Sequence, residues 1–440
     1  MGGGIYVSQN KKLPGTYINF IGAKKPSGLI SDRGTVAVAL PLSWGELGKI
    51  VKVSRETIAK KCKLLFGVSY QDDSMLPLRE LFCNASEVLV YRLGTGGTAA
   101  SNNYATAKYV GTVGNKLYTI ISATTDGDTS TGWTVQTFLG DELVDEQTVK
   151  GEGLTTAALK ANDYVTWKSD VELTEATKTT GVMTGGVDPQ AVTSHGEFLT
   201  ALQDYPFQVV ACSSTTAGII GEYVAFIKDL RDAYGIKSQA VVYKTASDHE
   251  GVINAVNKEL DETSEKGRVV FWVAGAEAGC AVNKSCTNAA YNGELNIDVS
   301  YTQEQLENAL SAGQLIMHRV GDEVRVLEDV NSLTSFTETK TEDFRYNQTI
   351  RVLDQIANDT ANLYNGKYIG KVANDASGRV SLWNDIVSMC NTLLNMRAIE
   401  DFTSDDVEVL AGDTKRAVVA NLKVTPVNAM SQLYMSVYVS

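Results

Sequence analysis

Only three histidines occur in the 440 residues: His195, His249 and His318. Histidine titrates near neutral pH and is the commonest metal ligand, so its neighbours are the first place to look for chemistry. A zinc or non-haem iron site needs several His, Cys or carboxylate groups converging. These three lie far apart in sequence, two of them near expected helix starts, and no metal site is expected. The six cysteines, at 62, 83, 212, 280, 286 and 390, form no CxxC. The closest pair, Cys280 and Cys286, has a spacing that matches no common zinc motif. Reduced, mostly buried thiols are the expectation.

The motifs of covalent catalysis and phosphate binding are missing as well. There is no GxSxG elbow, and no serine beside a small-residue turn pairs with a histidine and an aspartate. Asp248 and His249 are adjacent, and adjacent residues at a helix start point in different directions. Gly94-Thr95-Gly96-Gly97 follows an expected strand, but no Walker lysine follows and no GxGxxG is present. The chain continues there into a polar β-rich segment, so the glycines read as a hinge at a domain junction. Gly366 to Lys371 is too short for a P-loop and lacks a Ser or Thr after the lysine. No catalytic residue and no cofactor are expected.

Composition narrows the class further. Apolar residues make up 43% of the chain, too many for wholesale disorder. At roughly 150 residues per domain the length suggests about three domains. The formal charge of −13 leaves little basic surface for phosphates, so nucleic acid is not an expected partner. It suits solubility at high concentration. No apolar run approaches the roughly 20 residues of a membrane span. The first residues have no basic or apolar region of a secretory signal. A soluble protein made in a cytoplasm is expected, with no direct membrane insertion.

The elements that would carry any site read as follows. Residues 1–22 form an N-terminal arm with β-prone runs at Ile5-Tyr6-Val7 and at Thr16-Tyr17-Ile18-Asn19-Phe20. Residues 23–93 read as a small α/β unit: a strand at Thr35–Leu40, a helix at Arg55–Leu65 with Ser54 as N-cap, and a strand at Val88–Tyr91. Residues 94–186 contain no proline and are rich in Thr and Gly. Short β-prone runs separated by Asp-Gly and Gly-Asp turns suggest an all-β sandwich or barrel. Residues 187–335 alternate between two periods. A capping box at Ser194/Glu197 opens one helix. Then come a strand at Phe207–Ala211, a helix at Gly218–Tyr234 and a strand at Ser238–Tyr243. A helix at His249–Thr263 and a strand at Arg268–Val273 follow. A second capping box at Thr302/Gln305 opens a helix through Leu310. That order predicts a largely parallel sheet. Residues 336–428 read as α+β, with a helix over Ile350–Tyr364, another over Ser381–Met396, and a strand over Ala417–Val424.

Residues 429–440 form the last expected strand. Leu433, Met435, Val437 and Val439 alternate with Tyr434, Ser436, Tyr438 and Ser440. Such a strand either packs in its own domain or is lent to a neighbouring chain.

Several stretches resemble the tail sheath proteins of contractile-tailed bacteriophages and R-type bacteriocins, in the form found in Gram-positive prophages. They are Val90-Tyr-Arg-Leu-Gly-Thr-Gly-Gly97, Phe271-Trp-Val-Ala-Gly-Ala-Glu-Ala-Gly279 with Asn283-Lys-Ser285, and Leu327-Glu-Asp-Val-Asn-Ser-Leu333. Tyr368-Ile-Gly-Lys-Val-Ala-Asn374 with Gly378-Arg379, Ala398-Ile-Glu-Asp-Phe402, and Thr425-Pro-Val-Asn-Ala-Met430 with the terminal run complete the set. The resemblance says little about residues 98–183. It implies an α+β multidomain protein whose central α/β domain is subtilisin-like without the catalytic triad. It implies a homo-oligomer of stacked six-fold rings around an inner tail tube, bounded by baseplate and tail terminator proteins. The sheath would assemble extended in the bacterial cytoplasm, then contract as part of a released particle and drive the tube through a cell envelope. The arms would link subunits, through Tyr17, Ile18, Asn19 and Phe20 at one end and Leu433, Met435, Val437 and Val439 at the other. The C-terminal domain would face the tube, and the polar residues Arg351, Asp354 and Asp359 of its first helix are the expected contacts. A hydrolase built on the α/β domain and a non-contractile tube or coat protein are the alternatives.

Overall fold

A computed structural model describes residues 30–126, 129–190, 194–260 and 266–439. Tyr17–Phe20 of the expected N-terminal arm, and Ser440, lie outside the described residues.

Strand β1 (Thr35–Leu40) is parallel to β3 (Glu87–Arg92), and β2 (Ile50–Ser54) lies antiparallel along the outer side of β3. Helix α1 (Arg55–Phe66) follows directly after Ser54. The Ser54 hydroxyl meets Thr57 Oγ1 rather than a helix N–H. Gly67, at φ 71°, ends the helix by donating its N–H to Lys63 O. Helix α2 (Leu76–Phe82) packs back on the sheet.

The insert then holds β4 (Ala105–Ala107), β5 (Leu117–Asp126), β6 (Thr129–Leu139), β7 (Glu142–Lys150) and β8 (Val165–Trp167). Strands β5–β6–β7 make one antiparallel meander and β4–β8 a two-stranded ladder. The expected sandwich of two full facing sheets is therefore replaced, among the described residues, by a three-stranded sheet and a small ladder. The small core of this unit includes Trp44, which comes from the loop between β1 and β2 and is fully buried. Trp44 packs edge-on against Tyr109 and stacks with Tyr164.

The chain returns through α3 (His195–Leu202), β9 (Val209–Cys212), α4 (Ala217–Lys228), β10 (Gln239–Tyr243), β11 (Val252–Ala255), α5 (Val269–Gly279), α6 (Gln303–Ser311) and β12 (Gln314–Leu315). These strands complete one seven-stranded sheet of order β12-β11-β10-β9-β1-β3-β2, parallel except for β2. The segments before and after the insert, expected as separate domains, thus share one sheet. Val36, Ala37 and Val38 pair with Val209, Val210 and Ala211. Helices α2 and α5 cover one face of the sheet, and α3 and α4 the other.

Two expected elements change type. The segment expected as a helix from His249 contains β11, because Val252-Ile-Asn-Ala255 is buried between β10 and β12. The segment expected as a strand from Arg268 opens α5 instead. Its Val269 to Ala278 run is buried on every side, so it carries no amphipathic period to read. The two capping boxes also diverge. Thr302 and Gln305 bond reciprocally, whereas the Ser194 hydroxyl accepts the N–H of Gly94 at 2.7 Å and makes no cap bond.

A hairpin of β13 (Met317–Val320) and β14 (Glu323–Val326) leads to the last unit. There α7 (Asn347–Leu363) and α8 (Ala376–Asn395) pack with β15 (Ile399–Glu400), the hairpin β16 (Val407–Ala411)–β17 (Val418–Leu422), and β18 (Thr425–Pro426). Strand β18 pairs with β15.

Candidate assembly surfaces

The histidines sit on separate elements. His195 Nδ1 meets the Tyr223 hydroxyl at 2.9 Å, and burial pushes its pKa down. His249 Nδ1 accepts the N–H of Gly251 at 3.0 Å, and its Nε2 lies 3.2 Å from Asp232. Burial lowers the pKa of His249 as well. His318 lies on β13.

Two groups of potential ligands converge: Asp232, His249 and Glu250; and Glu277, Cys286 and Asp329. In both, the chain supplies its own cation. Glu250 receives Lys340 Nζ on both carboxylate oxygens at 3.0 Å and has Arg231 Nε at 3.9 Å. Arg351 Nη2 reaches Glu277 Oε2 at 2.5 Å and Asp329 Oδ2 at 3.2 Å.

Arg351, Asp354 and Asp359, expected as the outward polar face of this helix, pair inward instead. All three are buried on α7. Asp354 takes both Nη atoms of Arg231, at 2.7 and 2.9 Å. Asp359 accepts the Ser31 hydroxyl at 2.6 Å and Gln355 Nε2 at 2.7 Å. Charges spaced along a helix read as a solvated face when the partner charges lie far away in sequence. Here the partners come from α5, from the turn after α4 and from the loop after β14. Arg351 gains from both carboxylates, Asp329 stays below the usual carboxylate range despite burial, and burial holds Glu277 well above it.

The C-terminal segment is the opposite case. Its root is fixed: Val427 N–H donates to Ala398 O at 3.0 Å, Gln348 Nε2 to Val427 O at 2.9 Å, and Ala429 N–H to Gln348 Oε1 at 2.9 Å. Beyond it, no residue from 427 to 439 belongs to a strand. Leu433, Met435, Val437 and Val439 are 73–94% exposed, and Tyr434 and Tyr438 are exposed beside them. A tail packed in its own domain would bury one of these faces.

Three family profiles match the chain: the tail sheath protein Gp18 domain III N-terminal region over residues 33–93, the phage tail sheath protein central domain over 185–332, and the phage tail sheath C-terminal domain over 339–440. The sheath tail protein of Desulfitobacterium hafniense has 31% sequence identity and a TM-score of 0.79, covering 94% of this chain and 97% of that one. This chain belongs to the phage tail sheath family. Phage-like element PBSX protein XkdK of Bacillus subtilis is 31% identical over the full length of both chains. The helical sheath of the anti-feeding prophage in its contracted state shares the fold, at a TM-score of 0.56 and 12% identity over 97% of this chain.

The protein is a structural tail sheath subunit, not an enzyme. The matched sheath segments explain the shared sheet. Residues 33–93 and 185–332 are the two halves of one α/β unit, and the β-rich insert falls between them. Among the described residues, no helix of this sheath protein is long and apolar enough to cross a membrane.

Proposed function

We propose that the subunit polymerises by lending its C-terminal strand to a neighbouring copy. On this reading the copies stack as six-fold rings around an inner tail tube, between a baseplate and a tail terminator. They assemble extended in the bacterial cytoplasm, and contraction in the released particle drives the tube through a cell envelope. The N-terminal residues Tyr17, Ile18, Asn19 and Phe20 serve as the second link. A subtilisin-like fold of the central unit, without the catalytic triad, is part of the same reading, supported by its parallel strand order and two helical layers.

The observation that carries the reading is the exposed terminal segment. A strand of about six residues adds about six backbone hydrogen bonds, each worth about 1 kcal/mol net. Ordering it costs about 1–2 kcal/mol per residue. Hydrogen bonding therefore offsets the ordering cost at best, so burial decides. Leu433, Met435, Val437 and Val439 each contribute about 1.5–3 kcal/mol when buried in a neighbour.

Removing residues 431–440 tests this. The truncated chain is expected to keep its circular dichroism and thermal transition, because the root at Val427 and Ala429 remains, and to sediment as a small species. Val437→Asp should do nearly the same by placing a charge in an apolar seam, and Tyr438→Ser should be milder. Long polymers of the truncated chain would refute strand lending.

A further inference from the structure

The C-terminal unit holds a groove of about 440 Å³ between the turn after α7, the start of α8 and the β16–β17 turn. Tyr364, Ile369 and Val418 supply apolar lining, and Ile369 is 56% exposed. The charged lining is of one sign: Arg379, Lys415 and Arg416. Asn374 holds these cations in place. Its Oδ1 accepts Arg379 Nη1 at 2.9 Å, and its Nδ2 donates to Lys415 O at 3.1 Å and to Ala417 O at 2.8 Å. Neighbouring Lys367 is paired with Asp385 at 2.5 Å. Among the described residues, Lys371, Arg379, Lys415 and Arg416 form no such ion pair. Apolar surface rimmed by arginine and lysine has the make-up of an interface that meets an acidic surface.

The opposite sign gathers at the other end of the same hairpin. Residues 400–406 hold Glu400, Asp401, Asp405 and Asp406, and the first three are exposed. Strand β16 separates this end from the groove, and its five residues span about 17 Å. Arg397 and Lys423 are the cations beside the acidic end, and Asp375 and Asp413 are the carboxylates beside the groove. Asp375 is committed to the Gly378 N–H at 2.7 Å. Each end therefore carries four charges of its own sign against two of the other. The two ends cannot meet within one copy.

We propose that the cationic groove of one copy receives the acidic 400–406 end of the next. The occupant is a second copy of this chain, chosen by charge complementarity in a protein of net charge −13. The terminal tail does not fill this role, because residues 429–440 hold no charged side chain. A head-to-tail contact leaves one groove and one acidic end open on every pair, so it propagates into a ring or filament. The proposal rests on the reading that the copies polymerise, and it is independent of which strand they exchange.

The test assembles the full chain from an equal mixture of isotopically heavy and light copies. A carbodiimide then joins lysine amines to carboxylates in direct contact. Mass spectrometry should find Lys415 of one copy linked to Glu400, Asp401 or Asp405 of another. Lys415 left unlinked, or linked only to other carboxylates, would overturn the proposal. Reversing the groove with Lys415→Glu and Arg416→Glu should raise the concentration needed for assembly about tenfold or more, because like charges then face each other. Glu400→Lys with Asp405→Lys should do the same, and all four substitutions in one chain should restore assembly. Circular dichroism checks that each variant is folded. Folded reversals that assemble normally, or a fourfold variant that stays impaired, would overturn the proposal. If those reversals assemble normally while removal of residues 431–440 stops assembly, this contact fails and strand lending stands. The reverse pattern would sink strand lending and leave the contact in place.

Discussion

Replacing Arg351 by methionine tests whether the buried ions hold the C-terminal unit against the central sheet. Arg351 is 2% exposed and fills the space between α7, α5 and the loop after β14. Methionine keeps much of the volume and removes three contacts: Glu277 Oε2 at 2.5 Å, Asp329 Oδ2 at 3.2 Å and Lys284 O at 2.7 Å. Asp329 keeps the Cys286 N–H at 2.8 Å and Asn347 Nδ2 at 2.9 Å. Glu277 keeps much less, since its Oε1 has no hydrogen-bond partner even in the intact protein. Breaking one side of a buried ion pair costs about 3–5 kcal/mol. Proton uptake by Glu277 sets the lower part of that range.

The pH dependence has a definite sign. Burial raises Glu277 in the folded chain above its ordinary 4.5. Its contribution is therefore fully present below pH 4.5 and is lost as pH rises through the folded value. Without Arg351 that folded value rises further, so the variant's deficit should be small in acid and grow toward neutrality. A chain of several units does not unfold in two states, so the assay is hydrogen exchange of the α7 amides alongside calorimetry, at pH 5 and pH 7.5. Combining Arg351→Met with Glu277→Gln should recover about 1–3 kcal/mol relative to additivity. A deficit below about 1 kcal/mol at pH 7.5, or strict additivity, would refute the account given the stated pair cost.

Two further outcomes follow from the packing. Replacing residues 98–183 by a short Gly/Ser linker should leave thinner but intact polymers, seen by electron microscopy, because Thr95 already bridges Gln190 at the neck of the insert. Trp44 should be changed to Gln in the same protein, since the deletion strips its cover, and a folded monomer that cannot assemble would count against an outward, dispensable insert. Gly275→Ala should lower stability by about 1–3 kcal/mol, read as a fall in the thermal midpoint, since the new Cβ would lie 2.4 Å from Leu81 O where α5 crosses α2; an unchanged midpoint would mean that the two helices can separate freely.

The sequence was legible wherever one face met water. The Thr302/Gln305 box and the insert's strands both report a boundary between apolar and polar surroundings. It was illegible where both sides are protein. The Val269 to Ala278 run is apolar without a period, so length and flanks had to choose its type, and they chose wrongly. Val252 to Ala255 has the mirror problem, a short buried strand inside a longer stretch that mimics helical spacing. The union of residues 33–93 and 185–332 depends on β1 pairing with β9 across the whole insert, and local patterns carry no trace of such a pairing. Arg351, Asp354 and Asp359 misled for the same reason: their partners lie far away in sequence, 123 positions for the Arg231–Asp354 ion pair and 328 for the Ser31 hydroxyl on Asp359.

Those buried charges and the exposed tail belong to one mechanical path. The root of the terminal segment is clamped by Gln348, and Thr349 Oγ1 meets Asn428 Oδ1 at 3.2 Å, so a pull on the tail reaches the first turn of α7. One turn further on, Arg351 joins α7 to α5 and to the loop after β14, and Asp354 joins it to Arg231 in the turn after α4. Apolar contacts alone would let α7 slide, because burial is nearly indifferent to small lateral shifts. Bidentate and buried ion pairs are directional, and sliding would leave charges unpaired in a low-dielectric interior. If strand lending holds as proposed, a neighbour that grips the tail would be coupled to the central sheet through α7.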